Sequence, residues 1–330
     1  MPTTIKDIAR QLRVSPSTVS RALNNKPGIS KKTVSAVNMI AQKLNYKPNS
    51  VAVSLRQHRS NCIGVVVPKI SNHFFSEAIG GIQEIAAKSG YQILISQTRD
   101  GVEEEVNAIN ALNSGRVDGI LLSIGADVKN LSHIKALSNE LPVVLFDRVT
   151  TKFDISCVVA EDYDGAYRLT KYLIKSGRKR IVHLAGPRNL EIIDARYRGY
   201  RNALSKHKIA TRNRLVVECD FDVQKVDQAV RDLVVEGIEF DAIFASNDDM
   251  AVQAILTLEQ LGIKIPENVA VAGFGNYAVS NIVKPKLTTI NHQPRKMGML
   301  AAKTLIKEIN CDRYTSQLKV SSELVIREST

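Results

Sequence analysis

Two sets of residues have types and spacings that could do chemistry. The first is the run Ser15-Pro16-Ser17-Thr18-Val19-Ser20-Arg21-Ala22-Leu23-Asn24. Helical spacing turns Val19, Ala22 and Leu23 to one side and leaves Ser17, Thr18, Ser20 and Arg21 outward, each able to hydrogen-bond a base edge or a phosphate. The second set is Phe74 and Phe75, Asp147, and Asn247 with Asp248, which lie where apolar runs end, and Arg196 on the amphipathic stretch Leu190 to Lys206. In α/β chains the ends of strands are where ligands bind. There an aromatic ring can stack on a sugar or base, a carboxylate can accept from hydroxyls, and a guanidinium can donate a rigid fork. Each has a plainer use. One of two adjacent phenylalanines belongs in a core, Asp147 can pair with Arg148 or cap a helix, and Asn247 and Asp248 can cap the helix that follows. Arg198 and Arg201 make a solvated basic face the alternative for Arg196.

Other chemistry is excluded. There is no Gly-x-Ser-x-Gly elbow, no His-Glu-x-x-His and no phosphate-binding glycine loop. The six histidines are scattered, with His183 inside an apolar strand, and Cys62, Cys157, Cys219 and Cys311 lie far apart without metal-ligand spacing. The expectation is therefore no catalytic centre, no metal and no cofactor.

The first set needs a small helical frame, and the sequence supplies one. Thr4 and Asp7 have capping-box character before Ile5, Ile8, Ala9 and Leu12. Ser15 caps a second helix with Pro16 at its first position, and Asn24-Asn25-Lys26-Pro27-Gly28 stops it. Ser30 caps a third, with Val34, Val37, Ala41 and Leu44 inward. Two short helices backed by a third predict a helix-turn-helix whose second helix enters the major groove. Residues 1–60 carry eleven Lys and Arg and a single acid, Asp7, whereas the remaining residues are nearly balanced, 34 to 32. That is the footprint of a domain meeting a polyanion. Residues Ser50 to Gln57 are too few to hold a helix alone in water. They read either as a helix that orders against a partner, with Leu55 a minor-groove wedge, or as a linker.

The second set needs strands. The 330 residues are 44% hydrophobic and 24% charged, ordinary globular values. No apolar run is long enough to span a membrane, and Met1 to Asp7 lacks the apolar core of an export signal, so a cytoplasmic location is expected. From Cys62 onward, apolar runs such as Ile63–Val67, Gly119–Leu122, Val143–Phe146, Ile181–Leu184, Ala242–Ala245 and Val269–Phe274 alternate with amphipathic stretches. This predicts two doubly wound, parallel-sheet lobes sharing a cleft.

The strings Thr4-Ile5-Lys6-Asp7-Ile8-Ala9 and Val14–Asn24, with Leu44-Asn45-Tyr46-Lys47-Pro48-Asn49 and Val51-Ala52-Val53-Ser54-Leu55, resemble the headpiece and hinge of the lactose-repressor (LacI/GalR) family. Later strings extend the resemblance over essentially the whole chain, among them Val117-Asp118-Gly119-Ile120, Asp147-Arg148, Arg196 with Gly199-Tyr200, Ala245-Ser246-Asn247-Asp248 and Pro266–Phe274. The resemblance implies a core like a periplasmic sugar-binding protein, and a homodimer that binds palindromic operator DNA under control of a small effector. It places Pro16, Ser17 and Arg21 against bases and Leu55 at the operator centre, and its Arg-x-x-Gly-aromatic spacing selects Arg196 for the effector. Val53 replaces a residue that is often polar or basic. Gly275-Asn276 follows Gly273-Phe274 where the family commonly has a ligand-gripping acid, so the effector is anionic, smaller, or held by Asn276. The resulting assignments are residues 1–48 as headpiece, 49–60 as hinge, and 61–330 as a core of lobes 61–160 plus about 290–320 and 161–289 plus 321–330. Candidate DNA contacts are Thr4, Ser15, Pro16, Ser17, Thr18, Ser20, Arg21, Asn24, Asn49, Val51, Ala52 and Leu55. Candidate effector contacts are Phe74, Phe75, Asp147, Arg196, Asn247, Asp248 and Asn276. The function expected is a transcriptional repressor with a carbohydrate-related effector. The alternatives are a nucleobase or other metabolite as effector, or an enzyme on the same architecture.

Overall fold

The computed structural model describes residues 3–46, 59–311 and 315–330. It divides into two units, residues 1–60 and 61–330.

In the first unit, α1 (Ile5–Leu12), α2 (Pro16–Leu23) and α3 (Lys31–Lys43) enclose Ile8, Ala9, Val19, Ala22, Val37, Ile40 and Ala41. The Thr4 N–H and hydroxyl both bond the Asp7 carboxylate, at 2.9 and 2.7 Å, closing the box at α1. Arg13 then adopts a left-handed φ of 55°, its N–H returning to α1 carbonyls, which makes the tight turn into α2. The Ser15 hydroxyl accepts from the Thr18 N–H at 3.1 Å, and Ser30 does the same for Thr33. Each cap satisfies one of the donors a helix start leaves bare.

The second unit holds two six-stranded sheets. In the first lobe the order is β11 (Gln317–Val320), β5 (Ser156–Ala160), β4 (Val143–Phe146), β3 (Ile120–Leu122), β1 (Cys62–Val67) and β2 (Gln92–Gln97), all parallel. In the second it is β12 (Glu323–Val325), β10 (Thr288–Asn291), β9 (Ala270–Phe274), β8 (Ala242–Ala245), β6 (Ile181–Ala185) and β7 (Val216–Glu218), with only β12 antiparallel. The central strands are buried along their whole length. Both faces are therefore covered, which is why they read as unbroken apolar runs.

In the first lobe, α4 (His73–Lys88) packs with α11 (Pro294–Asn310) on one face, and α5 (Val102–Asn113) and α6 (Ser132–Glu140) lie on the other. In the second, α7 (Asp162–Lys175) and α8 (Glu191–Lys206) cover one face, while α9 (Val223–Val235) and α10 (Asp248–Gln260) cover the other. Gly199 lets α8 touch α7, since a Cβ there would stand 2.4 Å from the Tyr163 carbonyl oxygen. The chain passes between sheets at Glu161, at 292–293 and at 321–322. The second passage falls slightly later than the expected 290, because Ile290 pairs with Phe274 and Asn291 with Glu323 in the second sheet.

Candidate functional site

Two surfaces collect the candidate residues, one in each unit. On the first, Thr4, Ser15, Pro16, Ser17, Arg21 and Asn24 are exposed and Thr18 and Ser20 half-buried. Ser15 bonds Ser17 and Thr18 through hydroxyls at 2.7 and 2.8 Å, so three hydroxyls form one cluster at the start of α2. Arg21 stands one turn on, in the last turn of α2, and the Asn24 amide donates to the Ser20 carbonyl at 2.7 Å. Asn49, Val51, Ala52 and Leu55 lie outside the described residues.

On the second unit, loops after the C-terminal ends of both sheets enclose a cavity of about 830 Å³. The first lobe contributes Lys69, Phe74, Phe75, Asp100, Asp147 and Arg148. The second contributes Arg196, Asp220, Phe221, Asn247, Asp249 and Tyr277, and His292 comes from a passage between the lobes. Five expected residues thus meet: Phe74, Phe75, Asp147, Arg196 and Asn247. The two phenylalanines are core and lining at once. Phe74 stacks on His292 at 5.0 Å and 9°, and Phe75 meets Phe146 edge-on.

Asp147 has φ 61°, and neither Arg148 nor a helix start takes its carboxyl. Arg148 instead bonds Asp100, whose carboxylate also accepts from the Ala126 N–H at 2.8 Å. Among the described residues the Asp147 carboxyl has no hydrogen-bond partner. Burial pushes it up to about 7, against the pull of Arg148. Arg196 is buried rather than solvated. Its Nε and Nη2 reach Asp162 Oδ1 at 2.8 and 2.7 Å, Nη1 donates to the Ser246 carbonyl at 2.7 Å, and the guanidinium lies 3.9 Å from the Phe274 ring centroid. Burial raises Asp162 despite that pairing. Of five guanidinium donors, one on each Nη stays uncommitted by these contacts. Asn247 combines the two roles open to it: its Oδ1 caps the Met250 N–H at 2.8 Å, and the residue lines the cavity.

Two expected residues do not line the cavity. Asp248 is fully buried beneath it, accepting from Thr289 Oγ1, Ser280 Oγ and the Tyr277 N–H at 2.5, 2.6 and 2.7 Å. One residue on, the helix turns Asp249 to the cavity instead. Asn276 (φ 53°) accepts at its Oδ1 from Arg327 Nη2 at 2.6 Å, because Gly275 at φ 150° swings the loop so that Tyr277 faces the cavity. Seven of the lining residues missed by sequence reasoning, Lys69, Asp100, Arg148, Asp220, Phe221, Tyr277 and His292, share one signal. Each lies within a few residues of the C-terminal end of a strand.

Residues 4–49 match the model of the bacterial regulatory proteins of the lacI family. Residues 60–327 match that of the periplasmic binding proteins and sugar-binding domain of the LacI family. The chain belongs to the LacI family. It is 32% identical to a ribose operon repressor of Halalkalibacterium halodurans over 99% of this chain and 97% of that one. It is 30% identical to catabolite control protein A of Priestia megaterium over the whole of both. The lac repressor dimer bound to operator and an anti-inducer superposes with a TM-score of 0.91 at 26% identity, covering 100% of this chain and 99% of that one. A CelR–cellobiose complex superposes at 0.76, with 26% identity over 99% and 100%. This LacI-family chain is a DNA-binding transcriptional regulator, not an enzyme, and none of its described helices is long and apolar enough to cross a membrane.

Proposed function

We propose that this regulator represses transcription in the cytoplasm as a homodimer on a palindromic operator, and that a carbohydrate or close derivative in the core cavity sets its affinity for DNA. Residues 1–48 serve as headpiece, 49–60 as hinge and 61–330 as effector-binding, dimerising core. Ser15, Pro16, Ser17, Thr18, Ser20 and Arg21 read bases, Thr4 and Asn24 flank them, and Asn49, Val51, Ala52 and Leu55 work at the operator centre. The observation that carries the effector class is the pairing of apolar ring faces with uncommitted polar groups in one cavity. Phe74 and Phe221 supply apolar rings in the wall for a sugar's C–H side, while Asp147, Arg196 and Asn247 supply polar groups for its hydroxyls. The names of relatives agree, since one is a ribose operon repressor and one neighbour holds cellobiose.

Thermal shift of the full chain against pentoses, hexoses, disaccharides, their phosphates and purine bases tests this. A ligand at 100 times its Kd adds about 2.7 kcal/mol of stability. Stabilisation by a sugar with altered operator affinity is the expected result. Stabilisation by a purine base alone replaces the carbohydrate with a nucleobase. Relatives named as the repressor PurR, 29% identical, give that outcome its weight.

A further inference from the structure

The positive charge of the core is not evenly spread. Residues 165–217 hold fourteen Lys and Arg against two acids, Glu191 and Asp194, while the rest of residues 61–330 holds 20 against 30. This stretch contains most of α7 and all of α8, which together cover one face of the second sheet. Six of the fourteen are committed. Arg168, Arg180, Arg188, Arg196 and Arg198 have carboxylate partners, and Arg178 donates to the carbonyls of Pro266 and Asn268. The other eight have no carboxylate partner among the described residues: Lys171, Lys175, Lys179, Arg201, Lys206, Lys208, Arg212 and Arg214.

These cations are interleaved with tyrosines. Lys171 and Lys206 lie 6.0 and 5.3 Å from the Tyr167 ring centroid, and Arg201 lies 5.6 Å from that of Tyr197. A groove between the helices and the following turn is lined by Tyr163, Arg198, Arg201, Asn202, Ser205 and Lys208 among others, with no acid in its wall. The effector cavity, by contrast, has carboxylates from both lobes.

We infer that this α7–α8 face is a second nucleic-acid surface, one that takes the phosphate backbone of duplex DNA independently of the headpiece. Like charges concentrated on an otherwise acidic core repel one another, and a bound polyanion relieves that while releasing its own counterions. The helix of 16 residues is about 24 Å long. That length spans roughly seven phosphates of one strand. A small anion would use only the groove. A protein partner is disfavoured by composition: stable protein interfaces have an apolar core and few lysines. None of the large exposed hydrophobic side chains lies on α7 or α8; the exposed ones include Leu94, Ile95, Val235 and Ile282. The neutral groups present, tyrosine, asparagine and serine, are those that bond phosphate oxygens.

The test uses the full chain and a duplex without any palindrome, titrated from 50 to 200 mM salt. The triple variant Arg201→Glu/Lys206→Glu/Lys208→Glu is compared with a matched control, Arg116→Glu/Lys135→Glu/Lys303→Glu, on exposed sites of the first lobe. If all three cations meet phosphates, the face variant lowers the log–log salt slope by about 2–3 and weakens binding at least tenfold at 50 mM. The control leaves both near the parent values, and Arg21→Ala retains the face-dependent part. In parallel, duplex should protect Lys171, Lys206 and Lys208 from amine acetylation, a reading that survives if the triple variant fails to fold. Equal losses in face and control variants, or no protection of those lysines, overturn the inference. So does face-variant loss of inorganic phosphate binding with duplex binding unchanged, which would make the groove a small-anion site. Loss of operator recognition alone would touch the headpiece reading and leave this one standing.

Discussion

Asp147→Asn should change how the stability of the core depends on pH. The carboxyl of Asp147 is buried in the cavity wall without a hydrogen-bond partner among the described residues, and burial raises its pKa from 3.8 to about 7. Between those values the folded state keeps a proton that the unfolded chain has released. Stability therefore falls as pH rises through this window and levels off above about 7. The cost of holding the acid in the fold, relative to a neutral isostere, is about 2 kcal/mol at pH 5 and about 4 kcal/mol at pH 8. Asparagine is the right replacement because it tolerates the left-handed φ of 61° that aspartate adopts here, so no backbone strain is added. Whatever the amide gains or loses by packing does not depend on pH. Urea unfolding of parent and variant at pH 5 and pH 8 should therefore show the variant gaining on the parent by about 2–3 kcal/mol between the two.

The same carboxyl gives a signature in binding. An effector that donates hydrogen bonds to it favours the ionised form and drives off a proton near neutral pH. Calorimetry in buffers of different ionisation enthalpy should detect that proton for the parent and not for Asp147→Asn. Parallel stability curves for the two proteins, with no proton released by the parent, would mean the carboxyl ionises freely. The account of the cavity as a desolvated site would then be wrong.

Arg196→Ala should cost about 3–5 kcal/mol because it strands Asp162 in the interior, and adding Asp162→Asn should recover part of that in the same melt. His183 is buried, donates from Nδ1 to the Phe244 carbonyl at 3.1 Å, and has its pKa pushed down by burial to about 4 from 6.5. Its contribution is complete above pH 6.5 and is lost as pH falls through 4, so His183→Gln should spare about 3 kcal/mol of acid destabilisation at pH 4. Gly199→Ala drives a Cβ against the backbone of Tyr163 and Tyr167, which should separate α7 from α8 at a cost of about 1–3 kcal/mol or more, read as a lower Tm. Arg21→Ala should lose about 1–3 kcal/mol of discrimination at one operator position, whereas equal loss on all sequences would limit Arg21 to phosphate.

What could be read in the sequence was what local physics decides. Ser15 before Pro16 and Ser30 before the third helix are caps whose bonds close within three residues, and both form as expected. The buried parallel strands were legible because two covered faces leave no polar alternation. The segment 288–330 was harder. Helix α11 leaves a strand of one sheet to pack against α4 and the other sheet, and no local pattern announces that passage. The same limit explains the two misplaced effector candidates. Which of Asp248 and Asp249 faces the cavity depends on one helical step, and both are followed by the same apolar face. The exchange of Asn276 for Tyr277 depends on the φ of Gly275, a conformation that the residue type permits without requiring. Arg196 carried the opposite trap, since charged neighbours at 198 and 201 suggested solvent while helical rotation put it in the core.

The cavity and the passages between lobes belong to one bonded structure, and this gives effector binding its leverage. The Ser322 hydroxyl donates to the Glu161 carbonyl, and the Gln293 amide donates to Ser321 at 2.9 Å, so the three passages hold one another. Asp162, next to the first, is the residue that Arg196 grips, and His292, within the second, stacks on Phe74 in the cavity wall. A ligand touching Phe74 and Asp147 from one lobe and Arg196 and Asn247 from the other makes all of its contacts only at one relative angle of the lobes. At any other angle it forfeits a share of them. That difference is the free energy available to bias the core between arrangements, and in comparable systems it is about 1–3 kcal/mol. The bias passes first through the three passages, so substitutions at Gln293 or Ser322 should alter the response to effector more than the affinity for it.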